Sequence, residues 1–183
     1  MSLFLLIIVI VPLIWFVIVY NRFVRDRNRV ETAWSDIDIQ LKRRYDLIPK
    51  LVAAVEQYAR YEQSTLKTLI EIRSRASAME SVGEKGPLEG MLGSGLGKLI
   101  ALAEDYPELK ADQSFLQLQH DLTEVENHIQ YARRFYNGAV RNFNTRIDSF
   151  PDLLIAALFG FRRHDFFELD SSAESQSPEI FPS

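Results

Sequence analysis

An all-α fold is predicted, with an N-terminal transmembrane helix leading into an antiparallel, coiled-coil-like bundle of long helices. Three features predict it. Residues 3–20 form an unbroken uncharged apolar run. Two later stretches place apolar residues at steps of three and four, the period of a helix face. Neither stretch alternates apolar and polar residues as a half-buried strand would.

The first element is the apolar run. At ~1.5 Å rise per residue it covers roughly 27 Å, close to the hydrocarbon thickness of a bilayer. Pro12 lies within it and is tolerable in lipid, though able to bend the helix. A cleaved signal peptide would need a basic start and a small-x-small cleavage site. Instead Met1-Ser2 leads straight into Leu3-Phe4-Leu5, and Asn21-Arg22-Phe23 follows the run. An uncleaved anchor over residues 1–20 is therefore expected. Arg22, Arg25, Arg27 and Arg29 follow the span and no Lys or Arg precedes it. By the positive-inside rule the bulk of the chain is expected in the cytoplasm, with a short outer N-terminus.

Residues 21–168 are expected to form the bundle. Val30, Trp34, Ile37, Leu41, Ile48, Leu51, Val55, Tyr58, Leu66 and Leu69 mark one face of a long helix. No glycine interrupts it before Gly83, and Pro49 is expected to bend it near residues 45–47. One helix, or two nearly collinear ones, should reach about Glu80. Gly83-Glu84-Lys85-Gly86-Pro87 reads as a break. The apolar stretch 88–103 is interrupted by Gly90, Gly93, Gly95 and Gly97, so only its second half, residues 96–104, reads as a short helix. Asp105-Tyr106-Pro107 ends that piece. The last long helix carries Phe115, Leu118, Leu122, Val125, Ile129, Ala132, Tyr136, Ala139, Phe143 and Ile147 on one face. Asp112 is a suitable N-cap, and Phe150-Pro151 closes the helix. The polar, acidic residues 169–183 should be a disordered tail.

Charge and composition exclude some functions. The chain carries a net charge of −4, but Asp165, Glu168, Asp170, Glu174 and Glu179 lie beyond His164. Residues 1–164 are thus roughly neutral, which is no nucleic-acid footprint. Cysteine is absent, which rules out disulfides and thiolate chemistry.

Candidate sites are few. His120 and His128 share the last long helix with Asp121, Glu124 and Glu126. A di-iron bundle needs Glu-x-x-His on each of two helices and two further glutamates. Glu124 precedes His128 by four, no second such motif exists, and His164 is distant in sequence, so exposed surface residues are the better reading. Gly97-Lys98 lacks the spacing and the preceding strand of a phosphate loop. No serine stands in a nucleophile motif. No catalytic, cofactor-binding or metal-binding residue is therefore assigned.

The polar run Trp34-Ser35-Asp36-Ile37-Asp38-Ile39-Gln40-Leu41-Lys42-Arg43-Arg44-Tyr45-Asp46-Leu47-Ile48-Pro49 has two readings. It is a solvated helix flank, or it makes interhelical hydrogen bonds with Arg133, Arg134, Asn137 or Asn144. Trp34 lies on the apolar stripe and is expected to anchor the long-helix interface.

Several segments together resemble the LemA family. They are Tyr20-Asn21, Arg27-Asn28-Arg29-Val30, Ala33-Trp34, Ile37-Asp38, Gln40-Leu41-Lys42-Arg43-Arg44 and Asp46-Leu47-Ile48-Pro49-Lys50-Leu51-Val52. The second half adds Tyr106-Pro107-Glu108-Leu109-Lys110, Ala132-Arg133-Arg134-Phe135-Tyr136-Asn137 and Asn144. Phe150-Pro151, Phe159-Gly160-Phe161 and Phe166-Phe167-Glu168 complete the match, which covers about residues 4–168 and not the tail. The resemblance implies an N-terminally anchored, all-helical antiparallel bundle in a bacterial inner membrane. It brings no established enzymatic activity and no catalytic residues.

The expected function is a non-enzymatic, single-pass scaffold working through helix–helix assembly. A helix of ~90 Å paired with one of ~57 Å leaves apolar length uncovered, which self-association would bury. The alternative is an adaptor or regulatory partner of another membrane protein, such as a protease or transporter. The expected lipid contact is through residues 3–20. Residues 150–161 offer a second contact, since Phe150, Leu153, Leu154, Ile155, Leu158, Phe159 and Phe161 precede Arg162 and Arg163. The competing reading places them as a cap on the bundle or between subunits.

Overall fold

The computed structural model describes residues 2–59 and 61–169. Among these the regular elements are all helices: α1 (Ser2–Glu56), α2 (Gln63–Ala78), α3 (Val82–Ala103), α4 (Pro107–Lys110), α5 (Gln113–Asp148) and α6 (Asp152–Phe159). The expected all-α fold is what the chain adopts. Residues 170–183, which contain nearly all of the acidic tail, lie outside the described residues. The chain gathers into two compact units. One holds Met1–Asp38 with Tyr131–Phe166, the other Ile39–Gln130 with the segment beginning at Phe167.

In the first unit, the early part of α1 packs antiparallel on the later part of α5. Phe23 meets Phe143, and Trp34 meets Tyr136 at 5.5 Å between ring centroids. Val19, Phe23, Val30, Ala33 and Ile37 are the buried face of α1, and Tyr136, Ala139, Val140 and Phe143 that of α5. Their three- and four-residue steps are those of packed helices, as the periodicity predicts. Trp34 is only half-buried; Ala33 and Ile37 carry the fully buried positions around it. The indole reaches across to Tyr136.

The second unit is where the sequence reading needs correction. α1 runs through Pro49 and ends at Glu56, well short of Glu80. The Val55 carbonyl accepts the N–H groups of Tyr58 and Ala59 at 3.0 and 2.8 Å, and the chain turns into α2. No glycine or proline stands at this turn. Long-range packing sets it instead: Leu66, Leu69 and Ala76 of α2 are buried, and α2 packs on α3.

The expected break at residues 83–87 is absent, because α3 starts at Val82 and continues through the glycines and Pro87. Each helical glycine costs about 1 kcal/mol relative to alanine, and Pro87 removes one backbone hydrogen bond. Leu88, Leu92, Leu96, Leu99 and Ala103 form a continuous buried stripe that offsets these costs. Gly86 serves close packing, since a Cβ there would collide with the Glu168 carbonyl. The start of α5 follows expectation: the Asp112 carboxylate caps the helix by accepting the Phe115 N–H at 2.9 Å.

Candidate membrane-facing site and buried ionic cluster

At the N-terminal end of α1, Leu6, Ile7, Ile8, Val9, Ile10, Val11, Leu13 and Ile14 are all exposed. A helix apolar on every side and uncovered by protein is suited to lipid. α1 is the one described helix long and apolar enough to cross a membrane. Cover begins at Phe16 and Tyr20, where the Phe159 ring of α6 lies 5.7 and 4.7 Å from theirs. Gly160 follows in the left-handed conformation at φ 68°, which ends α6 and turns the chain. Phe161 then stacks on Phe23 at 4.8 Å and meets Phe143 edge-on at 6.3 Å.

Polar groups hold this aromatic cluster in place. Arg146 donates to Asp26 at 2.7 Å and to Asp152 at 3.0 Å, joining α5 to both α1 and α6. Burial alone would lower the Arg146 pKa, but the bonds and charges of Asp26 and Asp152 outweigh it and raise the pKa. Asn144 binds the backbone of His164 reciprocally. Its Nδ2 donates to the carbonyl at 2.9 Å, and its Oδ1 accepts the N–H at 3.0 Å. The Tyr136 hydroxyl donates to the Asp165 carbonyl at 2.9 Å. Burial, with Asp165 adding charge repulsion, pushes the phenol up to about 12. The segment after Gly160 is therefore strapped back along α5.

The outer face of α6 is left open. Phe150 is 79%, Leu154 55% and Leu158 69% exposed. Ile155 and Ala156 face inward. Arg162 and Arg163 follow, with Arg163 paired to Asp148.

In the other unit, the polar run of α1 sends two residues inward. Arg44 pairs with Glu89 of α3 and, at 2.8 Å, with Glu126 of α5. The Tyr45 hydroxyl donates to the same Glu89 carboxylate. Arg73 of α2 donates to the Tyr45 carbonyl at 3.1 Å. Lys85 is buried nearby in sequence on α3. Arg44 and Glu89 therefore neutralise each other's charge away from water, which suits a structural tie better than a site that must admit substrate.

The solvated-flank reading of the run fails at Arg44 and Tyr45 and holds at exposed Asp36, Lys42 and Arg43. Of the partners expected for it, Asn144 instead binds His164, and Glu89 went unanticipated. Glu89 precedes Leu92, Leu96 and Leu99 at helical spacing, but a charged residue on an apolar stripe is passed over by a binary pattern.

The histidines are dispersed. His128 lies 3.6 Å from Glu124, with both side chains exposed, and His120 is exposed. Glu126 is taken up by Arg44. Among the described residues no group of three His, Asp or Glu is placed to hold a metal. Gly97 and Lys98 lie within α3 and form no phosphate loop.

Comparison with known proteins places the sequence in a family. The LemA family profile matches residues 33–181, which begins after the apolar segment and extends past the residues that carried the resemblance. Protein LemA of Metamycoplasma hominis is 31% identical over 162 residues, covering 83% of this chain and 74% of that protein. Magnetosome protein MamQ 2 of Paramagnetospirillum magneticum is 24% identical over 190 residues, covering 88% and 70%. Magnetosome protein MamQ of Magnetospirillum gryphiswaldense is 23% identical over the same length. Both the family profile and the Metamycoplasma relative cover most of the chain, and the chain belongs to the LemA family.

Proposed function

We propose that this protein is a non-enzymatic, single-pass membrane protein whose helical bundle acts as a scaffold for assembly at the membrane. The observation that carries the reading is the join within α1. The helix passes without interruption from residues apolar and exposed on all sides to residues buried in a packed core, such as Phe23, Val30 and Ile37. In water about five turns of such uncovered apolar surface would be costly, whereas lipid covers it at no cost. In this reading residues 3–20 span a bacterial inner membrane and the remainder lies in the cytoplasm, following the arginines at 22, 25, 27 and 29.

The buried ionic cluster supports a structural role for the most unusual charged residues. The second unit also buries the apolar stripes of α1 and α2 within the chain through α3, so uncovered helix length there gives little drive for self-association. The remaining apolar surface of the first unit, on the early part of α1 and on α6, is where assembly with lipid or other membrane proteins would occur. Purification of the full chain in detergent with mass measurement tests the scaffold reading. A defined homo-oligomer is expected. A monomer recovered with a stoichiometric second protein would replace it with the adaptor reading.

A further inference from the structure

We propose that α6 is a second membrane-contact element, lying in the headgroup–acyl boundary beside the point where α1 leaves the bilayer. The proposal rests on the membrane-spanning reading of residues 3–20 and adds a site to it. Three observations place α6 there. Phe159 packs on Phe16 and Tyr20, which lie within the final five residues of the apolar run, so α6 lies level with the end of the span. Arg146, bonded to both Asp26 and Asp152, holds the start of α6 against α1 and fixes that level. The face of α6 turned away from the protein is apolar: Leu153, Leu154 and Leu158 are exposed, as is Phe150 just before the helix.

The occupant follows from continuity. The exposed side chains of α6 extend the uncovered apolar surface of α1 sideways, at the depth where aromatic rings and arginines favour the interface. With only eight helical residues, α6 is too short to cross a bilayer. A short helix with an exposed apolar face lies in the plane of the interface, with that face sunk about 5–10 Å. Arg162 follows and is exposed, at the level expected for headgroup phosphates. A second copy of the chain is the competing occupant, and the test separates it.

The test uses the full chain in phosphatidylcholine–phosphatidylglycerol vesicles, with single tryptophans as depth probes. One variant keeps Trp15 and replaces Trp34 with Phe. A second replaces both native tryptophans with Phe and carries Leu158→Trp. A third carries Leu154→Trp in the same background. Leu154 and Leu158 are outward-facing, so these changes leave the core intact, and circular dichroism confirms helicity. Lipids spin-labelled at shallow and deep acyl positions serve as quenchers. Quenching of the tryptophans at 154 and 158, strongest from the shallow label, is the expected result. Trp15 quenched while neither α6 probe responds would overturn the proposal and leave the anchor standing. If Trp15 is also unquenched, the spanning reading fails and takes the proposal with it. Blue-shifted α6 probes unquenched by either label, in a chain that runs as a dimer in detergent, would assign the face to a second copy and likewise overturn it.

Discussion

Arg44 and Glu89 face each other as an ion pair from which water is excluded, at 3% and 1% exposure. They lie 45 positions apart in the chain and join α1 to α3. Breaking a buried pair strands its remaining charge, which costs more than the pair contributes. Arg44→Met should therefore destabilise the protein by about 3–5 kcal/mol. Replacing the paired groups together, as Arg44→Met with Glu89→Leu and Tyr45→Phe, should recover much of that loss, because the buried Glu89 charge and the Tyr45 hydroxyl go with their partner and Glu126, which also loses Arg44, is partly solvated. Denaturant unfolding in detergent, followed by helical ellipticity, measures both. A triple variant no more stable than the single one would show that the pair contributes net stability after all.

The glycines of α3 should divide into two kinds. A Cβ at Gly86 would collide with the Glu168 carbonyl, a backbone atom with little room to move. Gly86→Ala should cost about 1–3 kcal/mol or displace the terminal segment. A Cβ at Gly97 meets nothing within 4 Å. Gly97→Ala should then stabilise by about 0.5–1 kcal/mol through helix propensity. Unfolding midpoints of the two variants should move in opposite directions; a shared direction would contradict the close approach at Gly86.

Tyr136 gives a pH signature at the alkaline end. Its pKa is raised to about 12 from 10.0, so folding favours the neutral phenol. The associated stability is fully present below pH 10, the unfolded value, and drains away as pH rises through 12. The wild type should lose about 1–2 kcal/mol relative to Tyr136→Phe across that window, allowing for solvent near the hydroxyl. Paired denaturation curves at pH 9 and just below 12 read this out, and a constant gap between the two proteins would refute it.

Orientation in the membrane can be read with one added cysteine, since the chain has none. Ser77 is exposed near the end of α2 and suits Ser77→Cys. An impermeant thiol reagent should leave intact cells unlabelled and label them after lysis. Ready labelling of intact cells would place the bundle outside the cytoplasm.

The helical class, the apolar N-terminal segment and the register of α5 were all legible along the chain. Each depends on local periodicity, and α5 carries its own cap in Asp112 and no glycine on its buried face. The same method misplaced the middle of the molecule for a physical reason. It treats glycine and proline as breakers, yet Gly86 and Gly95 lie where another part of the unit comes close, and a buried stripe from Leu88 to Ala103 outweighs their helix cost. It also carried one helix past residue 56, because nothing local marks a turn that exists to lay Leu66 and Leu69 on α3.

Pairing was the other thing hidden from a linear reading. Periodicity shows which side of a helix is apolar but not which helix it will meet, and it is silent about charges that are buried because a partner waits for them. Arg44 with Glu89, Asn144 with the His164 backbone, and Phe159 with Tyr20 each join residues at least 20 positions apart. A residue's neighbours along the chain act on it at every stage of folding, so local pattern decides whether a helix forms. Contacts at such separations exist only once the chain has closed on itself, and they alone decide where a helix ends, which charge is buried and which apolar face is left open.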